Sequence, residues 1–304
     1  MGVKVKQFAW LRGVIVLIIA CFACFACFAC FAGFSQASSR DDILLTINEV
    51  RELLGQQNII LVDSRPLINF KRGHIKGAVS IPTDETYTKH GRSDLVASLI
   101  EMRDLLNQAG VTEESQLVVY GDKNIMDISR LFWVMETFNI EKVAIMNNSF
   151  SEWKKRGYPT DKGVPATVKT NVYPTLKEER LATMLMVFAA IKDESEGLID
   201  ARSEQEYSGQ QSQTAVLGHI PSAVNIPWYK NLTKNYSSFK SIDELKRLYK
   251  GVMTNKMNTV YCNQGKESAV NYVAMRLVGA NVRAYDGSWF EWSQHAGLPV
   301  VQGK

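Results

Sequence analysis

The chain has 304 residues, 46% hydrophobic and 22% charged, an ordinary globular composition with room for two domains. Its formal charge of +4 includes three basic residues near the N-terminus, so residues 38–304 carry a net charge of only +1. No basic run with interleaved aromatic side chains follows, which argues against a nucleic-acid partner.

The first 37 residues predict a signal peptide or a membrane anchor. Three basic residues precede an apolar stretch over 13–34, and the small residues at 35–37 suit a signal peptidase. The stretch is also long enough for an uncleaved anchor, and the residues before Cys21 loosely fit a lipoprotein cleavage pattern. We expect export to the bacterial periplasm, with membrane contact only through this leader.

Cys262 is the only cysteine after the leader. The other four belong to a Cys-Phe-Ala repeat within the apolar stretch, which we interpret as part of the export segment. Residues 38–304 therefore cannot form an intramolecular disulfide. The four histidines show no metal-ligand spacing with Cys262, so we expect neither a metal nor a cofactor.

The rest of the chain contains two copies of one unit, in which short apolar runs alternate with helical patterns. Capping boxes of Thr46 with Glu49 and of Ser241 with Glu244 open one helix in each copy. Helices are predicted over 46–54, 101–109, 128–138, 241–250 and 269–278, and strands over 59–62, 117–120, 142–146 and 259–262. The matching segments are 60–65 with 197–202, 73–82 with 218–227, 117–120 with 258–261, and 149–153 with 288–292.

This pattern predicts an α/β fold of two tandem domains, each with a mainly parallel sheet flanked by helices. We place the domains at residues 43–160 and 179–303. The linker over 161–178 has prolines and no clear periodicity.

Cys262 lies where a predicted strand runs into a tight loop and then a helix. Loop N–H groups and the positive end of that helix favour a thiolate, the nucleophilic form of cysteine. The alternative is an inert buried side chain. The first copy has Gly121 at the aligned position. We therefore expect the first domain to be structural and to shape one wall of an interdomain cleft.

Over residues 43–303 the chain resembles the tandem-domain sulfurtransferases of the rhodanese type. Residues 282–292 match the C-terminal signature of that family throughout. Two further segments match its other signature except at Lys76 and Ser222. The run from Cys262 to Ser268 is similar to the active-site loop. The resemblance implies paired α/β domains, of which only the second has the reactive cysteine.

The resemblance implies that Cys262 takes a sulfur atom from thiosulfate or 3-mercaptopyruvate and passes it, as a persulfide, to cyanide or a thiol, including that of a protein. Gly265 is expected to adopt a positive φ or to give the loop room to turn. Ser268 either donates to the sulfur or caps the helix. The substrate-binding residues of the loop are then Asn263, Gln264, Gly265, Lys266, Glu267 and Ser268.

Arg202 would bind the anionic donor, as the resemblance implies, or it would form an ion pair with Asp200 or Glu206. His74 and His219 occur in both copies, which favours a structural hydrogen bond for each. Two other functions compete with sulfur transfer. One is a persulfide relay without turnover of its own. The other, a cysteine phosphatase or arsenate reductase, needs a loop arginine where this chain has Ser268.

Overall fold

The computed structural model describes residues 43–91, 94–122 and 124–303, and the predicted leader lies outside them. Helices and strands alternate along these ranges, as the sequence pattern predicts. Across them, no helix combines the length and the apolar character that crossing a membrane requires. What the structure describes is therefore the pair of repeated units and the segment between them.

The first copy forms a five-stranded parallel sheet within the described ranges. Its strands are β1 (Leu44–Leu45), β2 (Ile59–Asp63), β4 (Val79–Ser80), β5 (Gln116–Gly121) and β6 (Val143–Ser149); β3 (His74–Ile75) pairs instead with β7 (Thr160–Asp161) in an antiparallel ribbon. Its helices are α1 (Ile47–Glu52), α2 (Leu67–Arg72), α3 (Leu99–Gln108), α4 (Ile125–Thr137) and α5 (Phe150–Lys155). The order in the sheet is β1-β6-β5-β2-β4.

The second copy forms its own parallel sheet, again of five strands in the part of the chain that the structure describes. The strands are β8 (Leu181–Ala182), β9 (Glu196–Asp200), β10 (Val224–Asn225), β11 (Met257–Tyr261) and β12 (Val282–Tyr285). The helices are α6 (Met184–Ala190), α7 (Glu204–Ser208), α8 (Ile242–Tyr249), α9 (Lys266–Val278) and α10 (Ser288–Trp292). Its order, β8-β12-β11-β9-β10, is that of the first sheet, which confirms the repeat.

Equivalent side chains of the two copies make equivalent contacts. The His74 ring stacks on Phe70 with centroids 3.8 Å apart, and the His219 ring stacks on Tyr207 at 3.7 Å. Each histidine also bonds the backbone carbonyl of its aromatic partner through Nδ1. Both histidines are therefore structural, as predicted.

Helix boundaries differ from the predicted ones by one to three residues. The helix predicted over 101–109 spans Leu99–Gln108, and the one over 128–138 spans Ile125–Thr137. Helix α9 begins at Lys266 instead of residue 269, because a left-handed Gly265 starts it without a side-chain cap. Both predicted capping boxes are present. Residues 162–177, within the predicted linker, contain no helix or strand.

Helices α4 and α9 pack against each other and join the two copies in one apolar core. Almost every residue of α4 is buried. At the contact, Glu136 accepts hydrogen bonds from the Tyr272 hydroxyl at 2.6 Å and from Arg276 Nη2 at 2.7 Å. Because the Cys262 loop directly precedes α9, this packing fixes the loop against the first domain.

Candidate active site

The Cys262 loop places backbone and hydroxyl donors around the sulfur. Cys262 follows the last residue of β11 and is buried. Gly265, at φ +85°, donates its N–H to Cys262 Sγ at 3.0 Å. The amides of Gln264 and Ser268 and the Ser268 hydroxyl also lower the pKa of the thiol. The predicted positive φ of Gly265 is confirmed. Ser268 is not the cap residue of the helix, and its hydroxyl lowers the pKa of the thiol.

The C-terminal signature holds the backbone of the loop. Ser288 Oγ accepts from the Cys262 N–H at 3.2 Å and donates to the Tyr285 carbonyl at 2.8 Å. The Trp289 N–H donates to the Cys262 carbonyl at 2.9 Å. Ser288 adopts φ +50°, a conformation uncommon for a residue with a side chain. These bonds fix the position of the nucleophile from the backbone side.

The resting thiol is not ionised, which corrects the sequence prediction. Burial raises the pKa of Cys262 to about 11, and the nearby Glu267 carboxylate adds to the rise. The loop donors lower the pKa, as expected, but they do not offset these two influences. Near neutral pH the protein therefore holds a protonated thiol, although the loop donors around it favour an anion.

Cys262 borders a cavity of about 590 Å³ between the two domains. The three carboxylates and two ammonium groups of its lining give it no strong positive charge. This confirms that the first domain shapes one wall of an interdomain cleft. The residues that line it are Asp84, Tyr87, Thr88, Lys89 and Asp94 from the first domain and Gln213, Cys262, Asn263, Gln264, Lys266 and Glu267 from the second.

The remaining loop residues divide between the cavity and the protein interior. Asn263 is buried, and its Nδ2 donates to Glu206 Oε1 at 3.0 Å and to Glu267 Oε2 at 3.1 Å. Gln264 is exposed at the cavity. Lys266 Nζ lies 3.3 Å from Asp84 Oδ1 and 3.1 Å from Asp127 Oδ1, so it bridges to the first domain.

Arg202 forms an internal ion pair, which is the structural alternative to the predicted donor-binding role. Its Nη2 donates to Asp200 Oδ2 at 2.6 Å and to the Gly218 carbonyl at 2.8 Å, and its Nε also faces Asp200. The guanidinium is fully buried over the Trp289 ring and does not line the cavity. Arg65 repeats this arrangement with Asp63, which explains the recurrence of the motif.

The first domain has no room for a side chain at the position equivalent to Cys262. A Cβ added to Gly121 would lie 2.6 Å from Ser64 Oγ and 2.9 Å from Ile128 Cγ1. Asp122, the next residue, accepts hydrogen bonds from Ser151. The domain is thus closed where the second domain has its thiol, in agreement with the predicted structural role.

Three residues that the sequence analysis did not single out support the loop from beneath: Tyr87, Arg130 and Asp286. Arg130 is fully buried, stacks 4.0 Å from the Tyr87 ring centroid, and donates from Nη1 to Asp286 Oδ1 at 3.0 Å. Asp286 also accepts from the Val96 N–H at 2.6 Å. The one available signal was the place of Asp286 within the C-terminal signature over residues 282–292.

The fold and the site together define a class: paired α/β domains in which a cysteine between strand and helix faces an interdomain cavity. The family model described as "Rhodanese-like domain" matches residues 46–156 and 187–295. The chain therefore belongs to the rhodanese-like family, with two tandem domains, as the sequence resemblance implied.

Known proteins of similar sequence and fold cover most of the chain. The "Sulfur carrier protein TtuD" of Thermus thermophilus is 28% identical over 280 residues, 86% of this chain and 98% of that protein. The "Putative thiosulfate sulfurtransferase SseA" of Mycobacterium leprae is 30% identical over 268 residues, 83% of this chain and 88% of that protein. A crystal structure of SseA from Escherichia coli, described as a 3-mercaptopyruvate sulfotransferase, aligns with a TM-score of 0.72 at 23% identity, covering 81% and 98%.

Proposed function

We propose that the protein is a sulfurtransferase that moves a sulfane sulfur from thiosulfate or 3-mercaptopyruvate to cyanide or a thiol through a persulfide on Cys262. One observation carries the proposal. Cys262 Sγ accepts the Gly265 N–H at 3.0 Å inside a loop whose Gln264 and Ser268 donors lower the pKa of the thiol, and it borders the interdomain cavity. Such a setting stabilises a sulfur anion, whether a thiolate or a persulfide.

The transfer takes two steps. The deprotonated Cys262 sulfur attacks the outer sulfur of thiosulfate, a new S–S bond forms, and the old S–S bond breaks with its electron pair leaving on sulfite. Cyanide or a thiolate then attacks the terminal persulfide sulfur, and the electron pair of the bond that breaks returns to Cys262. With 3-mercaptopyruvate the leaving group is the enolate of pyruvate, which takes a proton to give pyruvate.

A persulfide relay is the second candidate, in which Cys262 holds sulfur and a thiol protein collects it. The cavity lining supports this option, because three carboxylates against two ammonium groups bind a small dianion weakly. The Thermus thermophilus relative is named a sulfur carrier protein. A cysteine phosphatase lacks support, since Ser268 stands where the loop arginine would be needed.

Mass spectrometry of the Cys262 peptide tests the proposal directly. Incubation with thiosulfate or 3-mercaptopyruvate should add about 32 Da, one sulfur atom, to that peptide. Added cyanide should remove the sulfur as thiocyanate with the enzyme and should release little with a pure relay. Cys262→Ser is the matched control and should show neither product. No addition with either donor would overturn the assignment.

We propose further that residues 1–37 direct export to the periplasm or anchor the chain in a membrane. The three basic residues near the N-terminus and the apolar stretch that follows them support this proposal. We also propose that the two domains span residues 43–160 and 179–303 and are joined by a linker over 161–178. Fractionation of cells that produce the full chain and a chain lacking residues 1–37 tests export. Recovery of both chains from the cytoplasm would contradict it.

A further inference from the structure

Glu267 places a carboxylate beside the reactive sulfur, on the first turn of α9. Its Oε2 accepts the Asn263 N–H at 3.4 Å and Asn263 Nδ2 at 3.1 Å, and Glu267 lines the same cavity as Cys262. The charge of this carboxylate acts on the Cys262 thiol. The side chain is therefore fixed between the loop, the sulfur and the cavity.

A second carboxylate lies on the other side of Asn263. Glu206 Oε1 accepts from Asn263 Nδ2 at 3.0 Å, while its Oε2 accepts from Ser203 at the start of α7. Two carboxylates thus share one amide group. Burial, and then the charge of Glu206, raise the pKa of Glu267 above the ordinary value of 4.5. Glu267 is therefore a stronger proton acceptor than an exposed glutamate.

The site needs a proton acceptor, because the resting thiol is protonated. The sulfur also interacts electrostatically with Tyr87 and Arg130 of the first domain. Burial raises the pKa of the Tyr87 phenol far above neutrality, and a guanidinium does not accept a proton. Lys266, which also borders the cavity, is paired with Asp84 and Asp127. Glu267 is thus the carboxylate of the cavity lining whose charge acts on the thiol.

We propose that Glu267 is the general base of the sulfur-transfer reaction, taking the Cys262 proton as the sulfur attacks the donor and returning it afterwards. This inference rests on the proposed function. In the first step the thiol proton passes to Glu267, the Cys262 sulfur bonds the outer sulfur of thiosulfate, and sulfite leaves with the electron pair of the old S–S bond. In the second step cyanide takes the outer sulfur as thiocyanate, and the Cys262 thiolate regains the proton from Glu267.

Rapid mixing of the full chain with thiosulfate, followed by mass spectrometry, measures the rate of persulfide formation in a single turnover. Glu267→Gln should slow this step about 100-fold at pH 7, the usual contribution of a general base. Glu267→Asp should restore part of the rate, because it keeps a carboxylate. Glu113→Gln, an exposed change of the same chemistry in the first domain, is the matched control and should match the wild type.

The pH dependence gives a readout that a structural role does not change. The base works when deprotonated, so the wild-type rate should rise with pH through the raised pKa of Glu267. Glu206→Gln removes the like charge, so the rise should move to lower pH. A Glu267→Gln rate of persulfide formation within threefold of the wild-type rate, or faster, would overturn the general-base role of Glu267. It would leave the sulfurtransferase assignment intact. A wild type that forms no persulfide would overturn the sulfurtransferase assignment with it.

Discussion

Arg130 Nη1 donates a hydrogen bond to Asp286 Oδ1 at 3.0 Å, and this pair joins the thiol-free domain to the domain of the reactive cysteine. Both groups lie directly beneath Gly265, whose N–H faces the sulfur. The Arg130 guanidinium is fully buried, and its Nε and Nη2 have no hydrogen-bond partner among the described residues. The first domain therefore supplies a buried charge on which the geometry of the active-site loop depends.

Removal of Arg130 should destabilise the protein more than its position in the thiol-free domain suggests. Arg130→Met leaves Asp286 buried without its cation, which costs about 3–5 kcal/mol of unfolding free energy. Urea unfolding measures this loss. Arg103→Met is the control, because Arg103 forms an exposed pair with Asp104, and such a pair contributes at most about 1 kcal/mol. Equal losses for the two variants would show that the buried pair contributes no more to the free energy of unfolding than the exposed pair.

Gly265→Ala should damage both the fold and the reaction. The residue has φ +85°, and an added Cβ would lie 2.5 Å from Arg130 Nη1 and 2.8 Å from Asp286 Oδ1. Gly163 has the same φ but nothing within 4 Å, so Gly163→Ala isolates the backbone strain of about 1–2 kcal/mol. We expect Gly265→Ala to lose more stability than Gly163→Ala.

The Gly265→Ala change should also slow persulfide formation about 100-fold, since it displaces the amide that faces the sulfur. Gly163→Ala should keep the wild-type rate. A thermal unfolding scan and the single-turnover persulfide assay provide the two measurements. Equal effects of the two alanines would mean that the contact with the Arg130–Asp286 pair is unimportant.

Arg202→Ala should act on stability and leave donor binding unchanged. The change leaves the fully buried Asp200 without its partner and should cost about 3–5 kcal/mol of unfolding free energy. Arg65→Ala, the equivalent change in the first domain, should cost a similar amount. The KM for thiosulfate, measured where both variants are folded, should stay within about twofold of the wild type. A KM raised tenfold by Arg202→Ala alone would restore the donor-binding role.

Local sequence signals predicted the fold and the position of the nucleophile. The capping box at Thr46 and Glu49, the repeated segments and the strand before Cys262 depend on near neighbours, so the sequence alone reveals them. The repeat also favoured a structural role for Arg202, because Arg65 occupies the equivalent position in the copy without a thiol. The ion pair that Arg202 forms with Asp200 matches the structural alternative, and Arg65 repeats it with Asp63.

The sequence pattern could not reveal contacts between residues that are far apart in the chain. Arg130 and Asp286 are 156 positions apart, and only the packing of α4 on α9 brings them together. Glu206 was recognised only as an ion-pair alternative for Arg202, although it bonds Asn263 of the loop. The raised pKa of Cys262 depends on complete burial and on Glu267, whereas sequence reasoning counted only the loop dipoles.

The reactivity of Cys262 toward iodoacetamide tests the state of the resting thiol. Because burial and Glu267 raise its pKa to about 11, alkylation at pH 7 should be slow and should accelerate about tenfold per pH unit until pH approaches that value. Labelling must be followed on the Cys262 peptide, since residues 1–37 contain four other cysteines. A midpoint near 8.5, the value of an ordinary thiol, would contradict the effect of burial.

Glu267→Gln separates the two roles of that carboxylate in the same assay. Its charge raises the pKa of the thiol, so its removal should shift the alkylation midpoint to lower pH and speed the labelling of the resting enzyme. The same change should slow persulfide formation, because the proton acceptor is lost. Effects of opposite sign identify a base, whereas acceleration of both reactions would identify a carboxylate that only suppresses the thiolate. Persulfide formation and alkylation, each measured on the Cys262 peptide, distinguish the two outcomes.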